Sequence, residues 1–211
     1  MARATPVRAR AHASREAIVQ AAMALWRTQG FAGTSVTDIC KAAGVSKALF
    51  YVYFARREDV LLEAEIFAMS GAHLAAQKVA ADPYELASLI AAVIRPLERR
   101  MRQYPPELIF ECVMETYRLE GRALADGTDE AEVFVLFLEP FRQAMSDGKV
   151  AAGADVVAAA RIAQTLAADG IRRWASTGFA DRNLAKTLGR EIAQVVEGFS
   201  RVASGRVGSG G

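Results

Sequence analysis

The residues that most constrain this chain run from Thr34 to Phe54, where two short helical patterns meet at Ala43-Gly44-Val45-Ser46. Ser35 stands where the first helix must begin, and Asp38 three residues on makes a variant of the capping box. Ile39 points inward, and Ala42 and Ala43 are small enough for two helices to approach closely. Gly44 can take the left-handed conformation that the turn needs. Val45 then plugs the angle, Ser46 caps the second helix, and Leu49 and Phe50 anchor it to the first. Lys47, Ala48 and Tyr51 are left facing outward near its start. Neither piece is long enough to stand alone. Together they read as a helix-turn-helix, whose second helix enters the major groove of DNA with its first turn on the bases.

Charge points the same way. Residues 1–60 carry nine Lys and Arg against four acidic residues, a net of +5, whereas 61–211 have a net of −3. A basic first quarter on a mildly acidic body predicts that the amino-terminal piece meets a polyanion. With 52% hydrophobic and 24% charged residues, the composition is that of a globular protein. No apolar run reaches the ~20 residues of a membrane span, so no membrane partner is expected. The Arg-rich start lacks the apolar block of a secretory signal, and a cytoplasmic protein is the default expectation. Cys40 and Cys112 lie far apart, with neither a metal spacing nor a disulfide framework. Both read as small core residues.

Helical punctuation recurs along the rest of the chain. Ser14 opens a helix whose inner face holds Ile18, Ala21, Ala22, Leu25 and Trp26. Gly30 stops it and would fold Phe31 back onto Trp26; Gly178 and Phe179 repeat the device after Trp174. Further helices are predicted from Arg57 to about Ala80, after Asp82-Pro83, and from Pro105-Pro106 to near Gly121. Others run from Asp129 to about Asp147, from Asp155 to Thr177 and from Asp181 to Ala203. No alternating strand pattern persists between them. The fold class is therefore all-α, with about nine helices. Its expected divisions are a disordered basic arm over 1–13, a three-helix DNA-binding domain over 14–60, a larger helical domain over 61–203, and a disordered Gly/Ser-rich tail over 204–211.

An enzyme reading gathers no support from the residues. The chain has two histidines, His12 and His73, and lacks metal-ligand spacings, a nucleophile elbow and a phosphate-cradling loop. No catalytic residue, metal ligand or cofactor is expected. Glu111 and Glu115, four apart on one helix, read as a solvated surface pair. Besides the DNA-binding reading there remain a helical scaffold for protein partners without DNA binding and, last, an all-α enzyme.

From Arg15 through Leu61 the sequence resembles the tetracycline-repressor (TetR) family of bacterial transcription regulators. The resemblance rests on Ile18 with Ala21-Ala22, Gly30-Phe31, Thr34-Ser35, Ile39, Ala43-Gly44-Val45-Ser46, and Tyr51 with Tyr53-Phe54 and Glu58. Cys40, Ala48 and Arg57 stand where the family usually has Ala, Gly and Lys. The resemblance implies that Ser46, Lys47 and Ala48 lie against base edges and that Tyr51 touches phosphate or a thymine methyl. It gives phosphates to Ser35, Thr37 and Arg57, the last at the start of a long helix whose dipole would help. Tyr53 and Phe54 would pack the hinge between the domains. A homodimer on a palindromic double-stranded operator, released by a ligand, is the function that it implies.

The large domain then has two tasks. The helices over 155–177 and 181–203 carry an apolar face of Leu184, Leu188, Ile192, Val195 or Val196, and Phe199 beside a small-residue strip of Ala159, Ala163, Ala167 and Gly170. These predict a four-helix dimer interface, the alternative being that the helices pack within one chain. Pro96 and Pro140 fall inside helical patterns, freeing the carbonyls of Ala92 and Leu136 and kinking the helices. Kinked, Ala-rich helices can enclose a cavity. Its candidate lining is Tyr104, Phe110, Met114 and Tyr117 with Phe134, Phe137, Phe141 and Trp174, suited to a small apolar or aromatic effector.

Overall fold

The computed structural model describes the backbone of residues 6–133 and 135–207, and the side chains of 11–63, 71–133 and 135–199. All regular structure among the described residues is helical. The head comprises α1 (Pro6–Gln29), α2 (Val36–Ala43) and α3 (Lys47–Tyr53). The body follows as α4 (Asp59–Ala80), α5 (Leu86–Met101), α6 (Pro106–Ala125), α7 (Glu130–Val133), α8 (Val135–Ser146), α9 (Val156–Ser176) and α10 (Leu184–Val207).

Local chemistry explains most boundaries. The Ser35 hydroxyl accepts the Asp38 amide while the Asp38 carboxylate accepts the Ser35 amide, closing the capping box. Gly44 has φ +66° and its amide returns to the end of α2. Trp26 and Phe31 meet with ring centroids 5.2 Å apart behind Gly30, and Trp174 and Phe179 at 4.0 Å behind Gly178.

Several expected boundaries move, and the helix expected from Asp129 to about Asp147 is divided into α7 and α8. The helix expected at Ser14 already begins at Pro6, so the 1–13 arm is helical from that residue on, and residues 1–5 lie outside the described residues. Pro is well placed at the first helical position, and the Ala and Arg after it are strong helix formers. At the other end α10 continues to Val207, past the expected stop at Ala203; its Gly and Ser weaken a helix without forbidding one. Residues 208–211 lie outside the description. Asp82 and Pro83 do not open a helix, because Tyr84 turns inward and donates its hydroxyl to Asp147 Oδ2 at 2.7 Å, leaving α5 to begin at Leu86.

The head is built on Ile18, Trp26, Ile39, Phe50 and Phe54, continuous with Leu61 at the start of α4. In the body α10 packs along α5. Gly189 makes this approach possible, since a Cβ there would come within 2.6 Å of the Ala87 carbonyl oxygen. Leu184, Leu188, Ile192 and Val196 are therefore buried inside one chain. Ala159, Ala163, Ala167 and Gly170 are also buried, with Leu188 seated where a Gly170 side chain would be. The face expected to meet a second subunit is spent within the subunit. Helical periodicity tells that a face needs cover, not which element provides it, and α5 offers an apolar stripe of its own.

Candidate nucleic-acid interface and effector cavity

Capping by Ser46, whose hydroxyl accepts the Leu49 amide at 3.1 Å, aims the first turn of α3 outward. Phe50 is fully buried behind it. Lys47 and Ala48 are exposed, Tyr51 is 55% exposed, and Val52, which the sequence reading passed over, is 73% exposed. Thr37 is exposed on the first turn of α2. At Ser35 the structure differs from the implied role: both its amide and its hydroxyl donate to Asp38. Those bonds hold the Asp38 carboxyl below the usual range, so this helix start already carries its own anion.

Arg57 is also spoken for. Its Nη1 donates to the carbonyls of Phe31 at 3.0 Å and Thr34 at 2.5 Å, its guanidinium lies 4.0 Å over the Phe31 ring, and Nη2 meets Glu58 at 3.3 Å. In the free chain Arg57 forms a clamp that satisfies the turn after α1. The sequence offered those carbonyls as free after a Gly stop, but not the distant donor that fills them.

Behind the head sits a contact that sequence reasoning missed. Glu115, read as surface, is fully buried on α6. Its Oε1 accepts from Arg56 at 2.6 Å and Arg122 at 3.1 Å, and its Oε2 from Arg118 at 3.1 Å. Burial would push this carboxyl up, but the three guanidinium groups outweigh it and hold it below the ordinary range. Arg56 also grips Asp59 at the start of α4. One carboxylate thus ties α6 to the segment that joins head and body. Arg27 adds a second tie, donating to the Tyr104 hydroxyl at 3.0 Å.

A cavity of about 410 Å³ opens between α4, α5, α6, α8 and α9. Leu97, Met101 and Ile171 wall it, with Val113, Thr116 and Glu120 from α6. Gln164 bridges its polar side, donating to Glu120 Oε1 at 2.7 Å and accepting the Leu136 amide at 3.2 Å. Burial pushes the Glu120 carboxyl up, offset in part by Gln164.

The candidate aromatic lining lies elsewhere. Phe137 and Phe141 pack on each other in the core, at 0% exposure, and Trp174 is held by Phe179 and by donating Nε1 to the Asp181 carbonyl. Tyr104 belongs to the head–body tie. Phe110 and Tyr117 are half-buried against the core, Met114 is half-buried on the same α6 stripe, and none of the three is on the cavity wall. Phe134 lies outside the described residues. The wall of α6 is the stripe one residue earlier, about 100° around the helix. An acidic residue embedded among Val113, Thr116 and Ala123 was the available signal. Among the described residues no three His, Cys, Asp or Glu side chains gather as for a metal, and no helix is long and apolar enough to cross a membrane.

Residues 18–64 match the tetR family of bacterial regulatory proteins. Over that segment the head is similar to the domain of this family. Over 99 residues, 45% of this chain, the sequence is 36% identical to the HTH-type transcriptional regulator BetI of Rhizobium meliloti (strain 1021), spanning 46% of that regulator's length. The chain thus matches about half of this curated relative. Similarity in three dimensions extends further along the chain. Thermus thermophilus FadR, a TetR-family transcriptional repressor solved with lauroyl-CoA, superposes with a TM-score of 0.68 at 24% identity, over 86% of this chain and 92% of FadR. RolR, solved with resorcinol, does so with a TM-score of 0.60 at 16% identity, over 94% and 96%. At these identities the shared property is the fold.

Proposed function

We propose that this chain is a DNA-binding transcriptional regulator that binds a palindromic operator as a homodimer and is released by a small effector. The observation that carries the reading is the outward first turn of α3. Lys47, Ala48 and Tyr51 stand exposed on a capped helix fixed by Phe50, and a protruding helix start of this kind fits the major groove. The match to a tetR-family domain over this same segment supports it. Two heads are needed to read two half-sites, so the dimer is part of the proposal. Its surface is the outer side of α9 and α10, where Leu166 and Val195 are exposed at 36% and 46%, flanked by the half-buried Ile162 and Phe199.

The effector site of the proposal is the apolar cavity. FadR with lauroyl-CoA and RolR with resorcinol hold an acyl and an aromatic body within the same fold, which supports an apolar or aromatic body here. Release works by population shift: ligand favours positions of α6 in which Glu115 and Arg56 hold the heads off the operator spacing. Selection of bound duplexes from a random-sequence pool, followed by gel shift, tests the function. Enrichment of a two-fold symmetric site is the expected result. Recovery of unselected sequence, or of a single half-site, overturns the dimeric regulator.

A further inference from the structure

The cavity between α4, α5, α6, α8 and α9 has an apolar body and one polar feature of a single sign. Glu120 sits inside with one oxygen bonded to Gln164, and among the described residues no donor meets the other. No Lys, Arg or His contributes to the described wall. Residues 64–70 and 134, whose side chains lie outside the description, include no Lys, Arg or His in sequence. Glu132 adds a second carboxylate at the edge. Elsewhere in this protein buried carboxylates are answered: Glu115 by three arginines, Glu98 by Arg102 and the Ala185 amide. Glu120 stands apart from that pattern.

Glu120 is half-buried, and a carboxylate partly withdrawn from water without a cation carries a cost that is relieved by whatever brings the missing charge. A ligand with a carboxylate head would do the opposite, adding like charge in a low-dielectric space. Resting on the reading of this cavity as the effector site, we propose that its ligand is an apolar amine, carrying a protonated nitrogen that pairs with Glu120 while its hydrocarbon or aromatic body fills the Leu97, Met101 and Ile171 side. Gln164 positions the carboxylate from behind. The free oxygen of Glu120 accepts the ammonium proton as a charge-assisted hydrogen bond. At about 410 Å³ the space lies in the range of small-molecule sites.

Calorimetric titration of the full chain with decylammonium, decanol, decanoate and lauroyl-CoA tests this. Decylammonium binds about tenfold or more tightly than decanoate, as a charge-assisted hydrogen bond implies. Glu120→Gln brings the two to within about threefold and keeps decanol binding, which reports an intact cavity. Glu120→Asp retains the order of the parent. If decanoate or lauroyl-CoA outbinds decylammonium on the parent, or if Glu120→Gln or Glu120→Ala leaves the amine preference in place, the proposal falls. Gel shifts on the same preparations separate the two readings. Operator binding with no amine preference removes the ligand class and leaves the regulator. Amine preference without operator binding does the reverse.

Discussion

His73 Nε2 on α4 lies 3.2 Å from the carbonyl oxygen of Leu136, the acceptor that Pro140 leaves without its helical donor. Facing a carbonyl, Nε2 must carry its proton, which fixes the tautomer. A side chain from another helix thus completes the backbone one turn before Pro140. His73→Leu strands that acceptor and lowers stability by about 1 kcal/mol in urea denaturation, whereas His73→Gln, which keeps a donor, recovers most of it. Equal midpoints for parent and His73→Leu would mean that water serves the carbonyl instead.

Arg57 and Lys47 separate into structure and recognition. Arg57→Ala removes two bonds to carbonyls and the cover over Phe31, costing about 1–3 kcal/mol of stability while leaving the salt slope of DNA binding unchanged. Lys47→Ala leaves the melt within about 0.5 kcal/mol but weakens operator binding by about 1–3 kcal/mol. A fall of about one unit in the salt slope for Arg57→Ala returns that residue to the phosphates.

At Glu115 the sign of the pH effect follows from the arginines. Its carboxyl lies below its ordinary range in the folded chain, so the ion cluster adds stability above about pH 4 that is lost as pH falls further. Glu115→Gln costs about 1–3 kcal/mol near neutrality, the partners being half-exposed. Denaturation midpoints of parent and variant converge on acidification; a gap that stays constant with pH refutes the assignment.

Glu120 runs the other way. Burial raises its carboxyl, so the folded chain keeps a proton that the unfolded chain has released, and the ligand-free protein loses stability as pH rises through that interval. Glu120→Gln is as stable as the parent near pH 4 and more stable at neutral pH, seen in thermal melts without ligand. A variant that melts below the parent at neutral pH contradicts this.

Two substitutions on α10 distinguish the inside from the outside of the platform. Leu188→Arg forces a charge against Gly170 and collapses the fold, costing more than about 3 kcal/mol. Val195→Arg leaves the melt of the single chain near native and separates the dimer in light scattering. A dimer that survives Val195→Arg moves the interface off this face.

What the sequence made legible was local. Ser35 with Asp38, Gly44, Ser46 and the paired Trp26–Phe31 and Trp174–Phe179 stops are settled within a few residues, so spacing alone identifies them. The tetR-family resemblance of the head followed from the same segment. Pairings across the chain were not legible. Glu115 and Glu111 look alike in sequence, and Arg56, 59 residues away from Glu115, decides between them. Arg57 looked available for phosphate because the carbonyls of Phe31 and Thr34 come to it only through folding. The cavity was anticipated as a type of space, but an aromatic stripe marks a core as readily as a wall. Here the aromatics went to the core, and smaller side chains with Glu120 formed the wall.

The tight crossings at Gly170 and Gly189 divide the platform into a fixed side and a variable one. A side chain at Gly189 would drive into the α5 backbone and one at Gly170 would displace Leu188, so the inner side tolerates little change. Leu166 and Val195 are exposed on the other side and are freer to change. Duplicated copies of such a gene could therefore alter their outer residues until each paired with its own kind. They would become insulated regulators in one cell, each with its internal scaffold intact.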